Sequence, residues 1–172
     1  MIKRILLDMV LMCLALPCFA KKSTQEEVIT PLTQLEKRQF QTRTYNATDK
    51  QTVMKALLNV YQDEGFMIYN ANPLLGFIYG AKDFDTSDPD VDISKEFGLS
   101  KGRLNVNGVK VATLETSANV TEYGETIRVR VNFKRKLLNV YGNAQFIEDV
   151  NEDTFYADFF EKLETAIILQ HK

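Results

Sequence analysis

Histidine, cysteine and tryptophan are scarce in this chain, and their scarcity limits the chemistry it can perform. Its 172 residues include two cysteines, one histidine and no tryptophan. The histidine is His171, close to the C-terminus, where chains fray. We therefore expect no Ser–His or Cys–His pair in a rigid site, and no metal site built on histidine and cysteine. The sequence predicts a protein that is not an enzyme and carries no metal or cofactor.

Basic residues are not in excess either. The chain has 21 lysines and arginines against 23 aspartates and glutamates, a net charge of −2. Nucleic-acid-binding domains usually carry a strong basic excess, so we expect no nucleic-acid partner.

Residues 1–20 have the pattern of a signal peptide. Two basic residues precede an apolar run from Met9 to Ala20, which is shorter than the roughly 20 residues that a membrane span requires. Cys18 and Ala20 are small residues at positions −3 and −1 of a cleavage site after Ala20. Cleavage there predicts a protein exported to the bacterial periplasm.

A second reading of the same segment is cleavage before Cys18 and lipidation of that cysteine. The product would be tethered to the outer membrane through Cys18, although Pro17 departs from the small residue expected before a lipidated cysteine. Both readings stay open. In either case the folded domain has no disulfide, because Cys13 is removed as well. This is unusual for a small eukaryotic secreted domain, but not for a bacterial one of this size.

The rest of the chain divides into a tether with a short helical turn, residues 21–36, and a single domain, residues 37–172. An acidic loop at 83–108 carries five aspartates. Alternating carboxylates could bind calcium, but a loop starting at Asp88 places Ile93 where an EF-hand needs glycine. We therefore predict an acidic loop without a metal.

Hydrophobic periodicity predicts the elements of the domain. They are a strand at Gln39–Tyr45, a helix at Thr48–Glu64, a hairpin of Phe66–Ala71 and Leu75–Lys82, strands at Val109–Val120, Thr126–Arg135 and Leu137–Ile147, and a helix at about Asp153–Gln170. Thr48 and Gln51 have capping-box spacing, and Gly65 suits a left-handed helix end. This order predicts an α+β, two-layer domain, with an antiparallel sheet and two main helices on one face.

Two sets of polar residues are candidate binding sites. The tract Arg38–Tyr45, called the polar strand here, is polar on both strand faces. Its candidate binding residues are Arg38, Gln41 and Arg43. An edge strand can recruit a partner by strand addition, but these residues could equally serve the fold, by pairing with Asp63 or Glu64.

The second set is a basic ladder on one strand face, formed by Arg128, Arg130 and Lys134. It could hold anionic lipid headgroups or an acidic partner. The alternative is a solvent-facing surface that is balanced by acids on neighbouring strands. The aromatic residues of the last helix present a similar choice between an apolar ligand groove and core.

Three stretches resemble a family of small uncharacterised bacterial envelope proteins, many of which look like outer-membrane lipoproteins. They are Arg38-x-x-Gln41-Thr42-Arg43-x-Tyr45, Gln62-Asp63-Glu64-Gly65-Phe66-x-Ile68, and Asp153-x-Phe155-Tyr156-x-x-Phe159-Phe160-x-Lys162-Leu163-Glu164. The resemblance implies lipidation at Cys18 and no particular activity. The element order is also similar to the helix-grip domains of an outer-membrane assembly lipoprotein of the BamC type, as an analogy of fold.

These observations predict a non-enzymatic binding or scaffolding module of the cell envelope, whose partners are envelope proteins or membrane lipids. One alternative is a periplasmic carrier of a small apolar ligand or lipid, held between the sheet and the last helix. Another is a cell-wall hydrolase that uses two carboxylates.

Overall fold

The computed structural model describes residues 32–46, 49–86, 88, 92–97 and 108–170. These residues form one antiparallel sheet and four helices, which confirms the predicted α+β class. The elements are α1 (Gln34–Phe40), β1 (Thr42–Asn46), α2 (Lys50–Asp63), β2 (Met67–Asn72), β3 (Phe77–Asp85), α3 (Ile93–Glu96), β4 (Val109–Tyr123), β5 (Thr126–Asn139), β6 (Ala144–Asp149) and α4 (Asp153–Gln170). In the described part of the chain, no helix has the length and apolar character needed to cross a membrane.

The sheet has the strand order β1-β5-β4-β3-β2, and β6 also pairs with β5. Strands β1 and β6 lie end to end along the same edge of β5, opposite residues 126–130 and 134–138. Two further backbone hydrogen bonds cover the interval between them. Val131 N donates to Gln41 O and Val150 N donates to Phe133 O, both at 2.9 Å. Hydrogen bonding along this edge of β5 is therefore nearly continuous.

Helices α2 and α4 cover one face of the sheet and form the core with it. Strand β5 alternates as predicted, with Ile127, Val129, Val131 and Phe133 buried. The apolar stripes of both helices are buried against them: Val53, Leu57, Val60 and Tyr61 of α2, and Tyr156, Phe159, Phe160, Leu163 and Ile167 of α4. Each fully buried apolar side chain contributes about 1.5–3 kcal/mol.

The predicted strand at Gln39–Tyr45 begins three residues too early. Residues Gln34–Phe40 form α1 instead, and β1 starts at Thr42. A capping box explains this helix: the Thr33 hydroxyl accepts from Glu36 N, and the Glu36 carboxylate accepts from Thr33 N at 2.7 Å. These reciprocal bonds satisfy the first N–H groups of α1, which continues beyond the short helical turn predicted up to residue 36.

The predicted break at residue 136 is also wrong. Strand β5 runs to Asn139, because the inward alternation continues through Arg135 and Leu137, and the turn follows at 140–143. At the start of α2 the capping residue is Asp49, whose carboxylate accepts from Thr52 N at 3.0 Å. The expected cap, Thr48, lies outside the described residues.

Candidate functional site

The face of the sheet opposite α2 and α4, called the open face here, is polar along its central strands. A cleft of about 360 Å³, the open-face cleft, lies between this face and α1. Residues from α1 and four strands line it: Gln34, Lys37, Gln41, Tyr79, Glu115, Thr116, Ser117, Arg130, Asn132, Phe133, Lys134 and Asp149. It is the place where the described structure gathers the most candidate site residues.

Three of the six predicted binding residues line this cleft, namely Gln41, Arg130 and Lys134. The other three do not. Arg38 is exposed on α1, the Arg43 guanidinium lies 5.1 Å from the centre of the Phe160 ring, and that of Arg128 lies 4.2 Å from the centre of the Tyr123 ring. The tertiary structure thus divides both the polar strand and the basic ladder.

Arg130 differs from its lysine neighbours because no carboxylate pairs with it in the described part of the chain. Lys134 lies 3.7 Å from Asp149, and Lys136 lies 2.6 Å from Glu115. Arg130 makes one long hydrogen bond, from Nη2 to the neutral Gln41 Oε1 at 3.5 Å. Its Nε is buried and has no hydrogen-bond partner among the described residues.

Gln41 is buried and belongs to a network that joins α1, β5 and α4. Its Nε2 donates to Tyr156 Oη at 3.3 Å. That hydroxyl donates to Val150 O at 3.1 Å and accepts from Phe133 N at 3.3 Å. Burial raises the pKa of Tyr156, so the hydroxyl stays protonated and able to donate. Gln41 therefore connects the rim of the cleft to the core.

The expected pairing of Arg43 with an acid of the α2 terminus is not formed. The Glu64 carboxylate instead accepts from Lys162 Nζ of α4 at 2.6 Å. Arg43 donates to the neighbouring Thr42 O and packs on Phe160. The cation that offsets the helix-end charge thus comes from α4, not from β1.

Arg135 is not among the predicted site residues. It is fully buried, and its Nε donates to Phe97 O while its Nη2 donates to Glu152 Oε2, both at 2.7 Å. Its Nη1 lies 3.7 Å from Glu148 Oε2. The signal that could have found it is its odd-numbered position, which continues the inward alternation of β5. Its contacts join α3, β6 and the start of α4.

A second cleft, the phenylalanine cleft, lies between the sheet, α3 and α4, with a volume of about 260 Å³. Five phenylalanines line it together with charged side chains: Phe66, Phe84, Phe133, Phe155 and Phe159. Lys82 and Glu96, which also line it, lie 3.5 Å apart. The groove expected beside the last helix therefore has a counterpart, although Tyr156 and Phe160 are core residues.

The acidic segment is described only in part. Asp83 accepts from Thr113 Oγ1 at 2.6 Å, and Asp92 caps α3 by accepting from Ser94 N and Lys95 N. Within the described ranges, no group of three or more histidine, cysteine, aspartate or glutamate side chains could hold a metal ion. The rest of that segment lies outside these ranges, as do Cys18, Ala20, the tether up to residue 31 and His171.

No protein-family model matches this chain, and no curated protein matches it either. Among solved structures it is similar to a DUF4468 family protein from Bacteroides ovatus, with 11% sequence identity and a TM-score of 0.37. That match covers 73% of this chain and 84% of the other.

Proposed function

We propose that this protein is a non-enzymatic binding module of the bacterial cell envelope, which holds a partner protein at the open-face cleft. The observation that carries the proposal is Arg130, a cation that lines the cleft without a carboxylate partner in the described structure. The signal-peptide pattern and the resemblance to envelope proteins support the location. It is the periplasm after cleavage at Ala20, or the outer membrane if Cys18 is lipidated.

The charge of the cleft favours an acidic segment of a protein over a lipid surface. The recruitment of basic segments to anionic membranes usually relies on clusters of four to eight lysines and arginines. Here Glu115 and Asp149 line the cleft beside the cations, and the chain as a whole has a net charge of −2. A concave site of mixed charge suits one protruding acidic group.

The test compares full-length wild-type protein with two charge-reversal variants in crosslinked capture of envelope proteins. Arg130→Glu is expected to lose a partner that the wild type captures. Arg128→Glu, the matched control outside the cleft, is expected to retain it. Retention of every partner by Arg130→Glu contradicts the proposal. So does a result in which the wild type binds only anionic lipid vesicles, which would favour the lipid alternative.

A carrier of a small apolar ligand is the second candidate, because of the phenylalanine cleft. Native mass spectrometry of the full chain from its host is then expected to show a bound apolar molecule. Phe84→Trp should lower its occupancy, since the larger ring fills the cleft, and Phe77→Trp on the open face of the same strand should not. A wild-type mass without any adduct contradicts the carrier. The hydrolase has less support, since both carboxylates of the open-face cleft contact lysines.

A further inference from the structure

We infer that the open-face cleft recognises a single carboxylate group, with Arg130 as its central donor. This inference rests on the proposed function and narrows it to a ligand chemistry. The ligand class is an acidic side chain or a chain-terminal carboxylate of the partner.

The hydrogen bonding of Arg130 is incomplete in a way that an anionic oxygen would correct. A guanidinium carries five N–H donors in a rigid fork. Its buried Nε has no partner in the described part of the chain, and leaving such a donor unsatisfied costs free energy. The contact from Nη2 to Gln41 is at the long limit for a hydrogen bond, at 3.5 Å. A ligand carboxylate that took the place of the Gln41 amide oxygen beside Arg130 would form a charge-assisted, bidentate pair with the guanidinium.

Neutral donors stand beside this guanidinium on the same face of the sheet. Asn132 follows Arg130 by two residues on β5, and Ser117 is directly opposite Asn132 on β4. Both line the cleft, and neither side chain hydrogen-bonds to another described residue. Side chains two residues apart on a strand point to the same side, so the three donors surround one small volume.

The charge of the cleft selects a monoanion. Three cations and two carboxylates line it, so its lining has one positive charge in excess. Lys134 is already beside Asp149, and Glu115 contacts Lys136, which leaves Lys37 and Arg130 as the lining cations without an acidic partner in the described structure. Of these two, Arg130 lies on the sheet beside Asn132 and Ser117. One carboxylate balances the excess charge. A phosphate group, with a charge of about −1.5 to −2, would over-compensate it and would also be repelled by the two acids.

The experiment is an NMR titration of the full, isotope-labelled chain that follows the Arg130 Nε–Hε signal. The probe is N-acetyl-glutamate methylamide. Its control is N-acetyl-glutamine methylamide, which replaces only the carboxylate by an amide, and inorganic phosphate is the third arm. We expect saturable shifts at Arg130, Asn132 and Ser117 with the glutamate probe alone. Shifts of equal size with phosphate, or no saturable shift with the glutamate probe, overturn the inference.

Variants separate recognition from loss of the fold. Arg130→Gln is expected to weaken probe binding about tenfold, because it removes a charge-assisted hydrogen bond. Asn132→Asp should weaken it as well, by adding a negative charge at a partly buried position in the lining of the cleft. Arg128→Gln is the matched control and should bind normally. Normal probe binding by Arg130→Gln would also overturn the assignment.

If the protein captures a partner through Arg130 but binds no carboxylate probe, only this inference fails. If it binds the probe but captures no partner, only the proposed function fails.

Discussion

Replacing Arg135 with alanine is expected to lower the free energy of unfolding by about 3–5 kcal/mol. The guanidinium is fully buried and contacts Phe97 O, Glu152 and Glu148. Without it, a buried carbonyl and two partly buried carboxylates lose their contacts with the guanidinium. The alanine side chain is also too small to fill the space that the arginine occupied. Urea denaturation of the wild type and the variant measures the change.

Lys136→Ala is the matched control for this change. Lys136 is the next residue on β5 and points to the open face, where it pairs with Glu115 while remaining partly exposed. An exposed pair of this kind contributes less than about 1 kcal/mol. Equal losses for Arg135→Ala and Lys136→Ala would contradict the role assigned to the buried cation.

The same ion pair makes stability depend on pH in the acid range. Burial raises the pKa of the Glu152 carboxyl, but the hydrogen bond and the charge of Arg135 outweigh this effect and leave the pKa below its ordinary value. A depressed carboxyl pKa stabilises the fold above the unfolded-state pKa, and this contribution disappears as the pH falls through the folded-state pKa. We expect Arg135→Ala to lose the Glu152 part of the acid dependence.

Replacing Gly76 with alanine is expected to lower the free energy of unfolding by about 2–6 kcal/mol. Gly76 ends the β2–β3 turn with φ +70°, a left-handed conformation that disfavours side chains. An added Cβ would also collide with Val120 O and lie 2.9 Å from Lys50 Cε. The colliding atom, Val120 O, belongs to the backbone. It cannot easily move away, because Val120 N donates to Gly76 O at 2.7 Å and holds the two segments together. Thermal and urea unfolding measure the loss.

Gly124→Ala separates the two causes. Gly124 has φ +62°, and no atom of the described residues lies within 4 Å of its added Cβ. Only conformational strain remains there, so the expected loss is about 1–2 kcal/mol. If Gly76→Ala and Gly124→Ala lower the free energy of unfolding by the same amount, the close approach of Gly76 to β4 does not contribute to stability, and the prediction is contradicted.

The elements that could be predicted from the sequence are those with a strong local period. The α2 and α4 stripes and the alternation of β5 each bury one face, so their patterns are visible without knowledge of any partner. For α1 the sequence predicts only a short helical turn that ends by residue 36, whereas the helix runs to Phe40. None of its seven residues is buried, so its clearest signal is the pair Thr33 and Glu36. The predicted end of β5 at Arg135 is too early, because a buried arginine does not show as apolar in the alternating pattern.

The sequence predicted several residues of the candidate site, but not the contacts between them. Arg130 and Lys134 share a strand face because side chains alternate with a period of two residues, and this can be predicted from the sequence of β5 alone. The arrangement of α1, β1 and α4 brings Gln41 beside them. Arg43 and Arg128 instead contact aromatic rings. No local pattern reports on such contacts, since their residues lie far apart along the chain.

The sequence by itself determined the fold class, the polar face of β5 and the scarcity of catalytic side chains, because periodicity and composition are local properties. Only the tertiary structure decided which charges are compensated. Lys134, Lys136 and Arg135 have acidic partners within 4 Å, whereas Arg130 has Gln41 as its side-chain partner in the described structure. The physical reason is that compensation depends on distances across paired strands and packed helices. Those distances are set by register and packing, not by the spacing of residues along the chain.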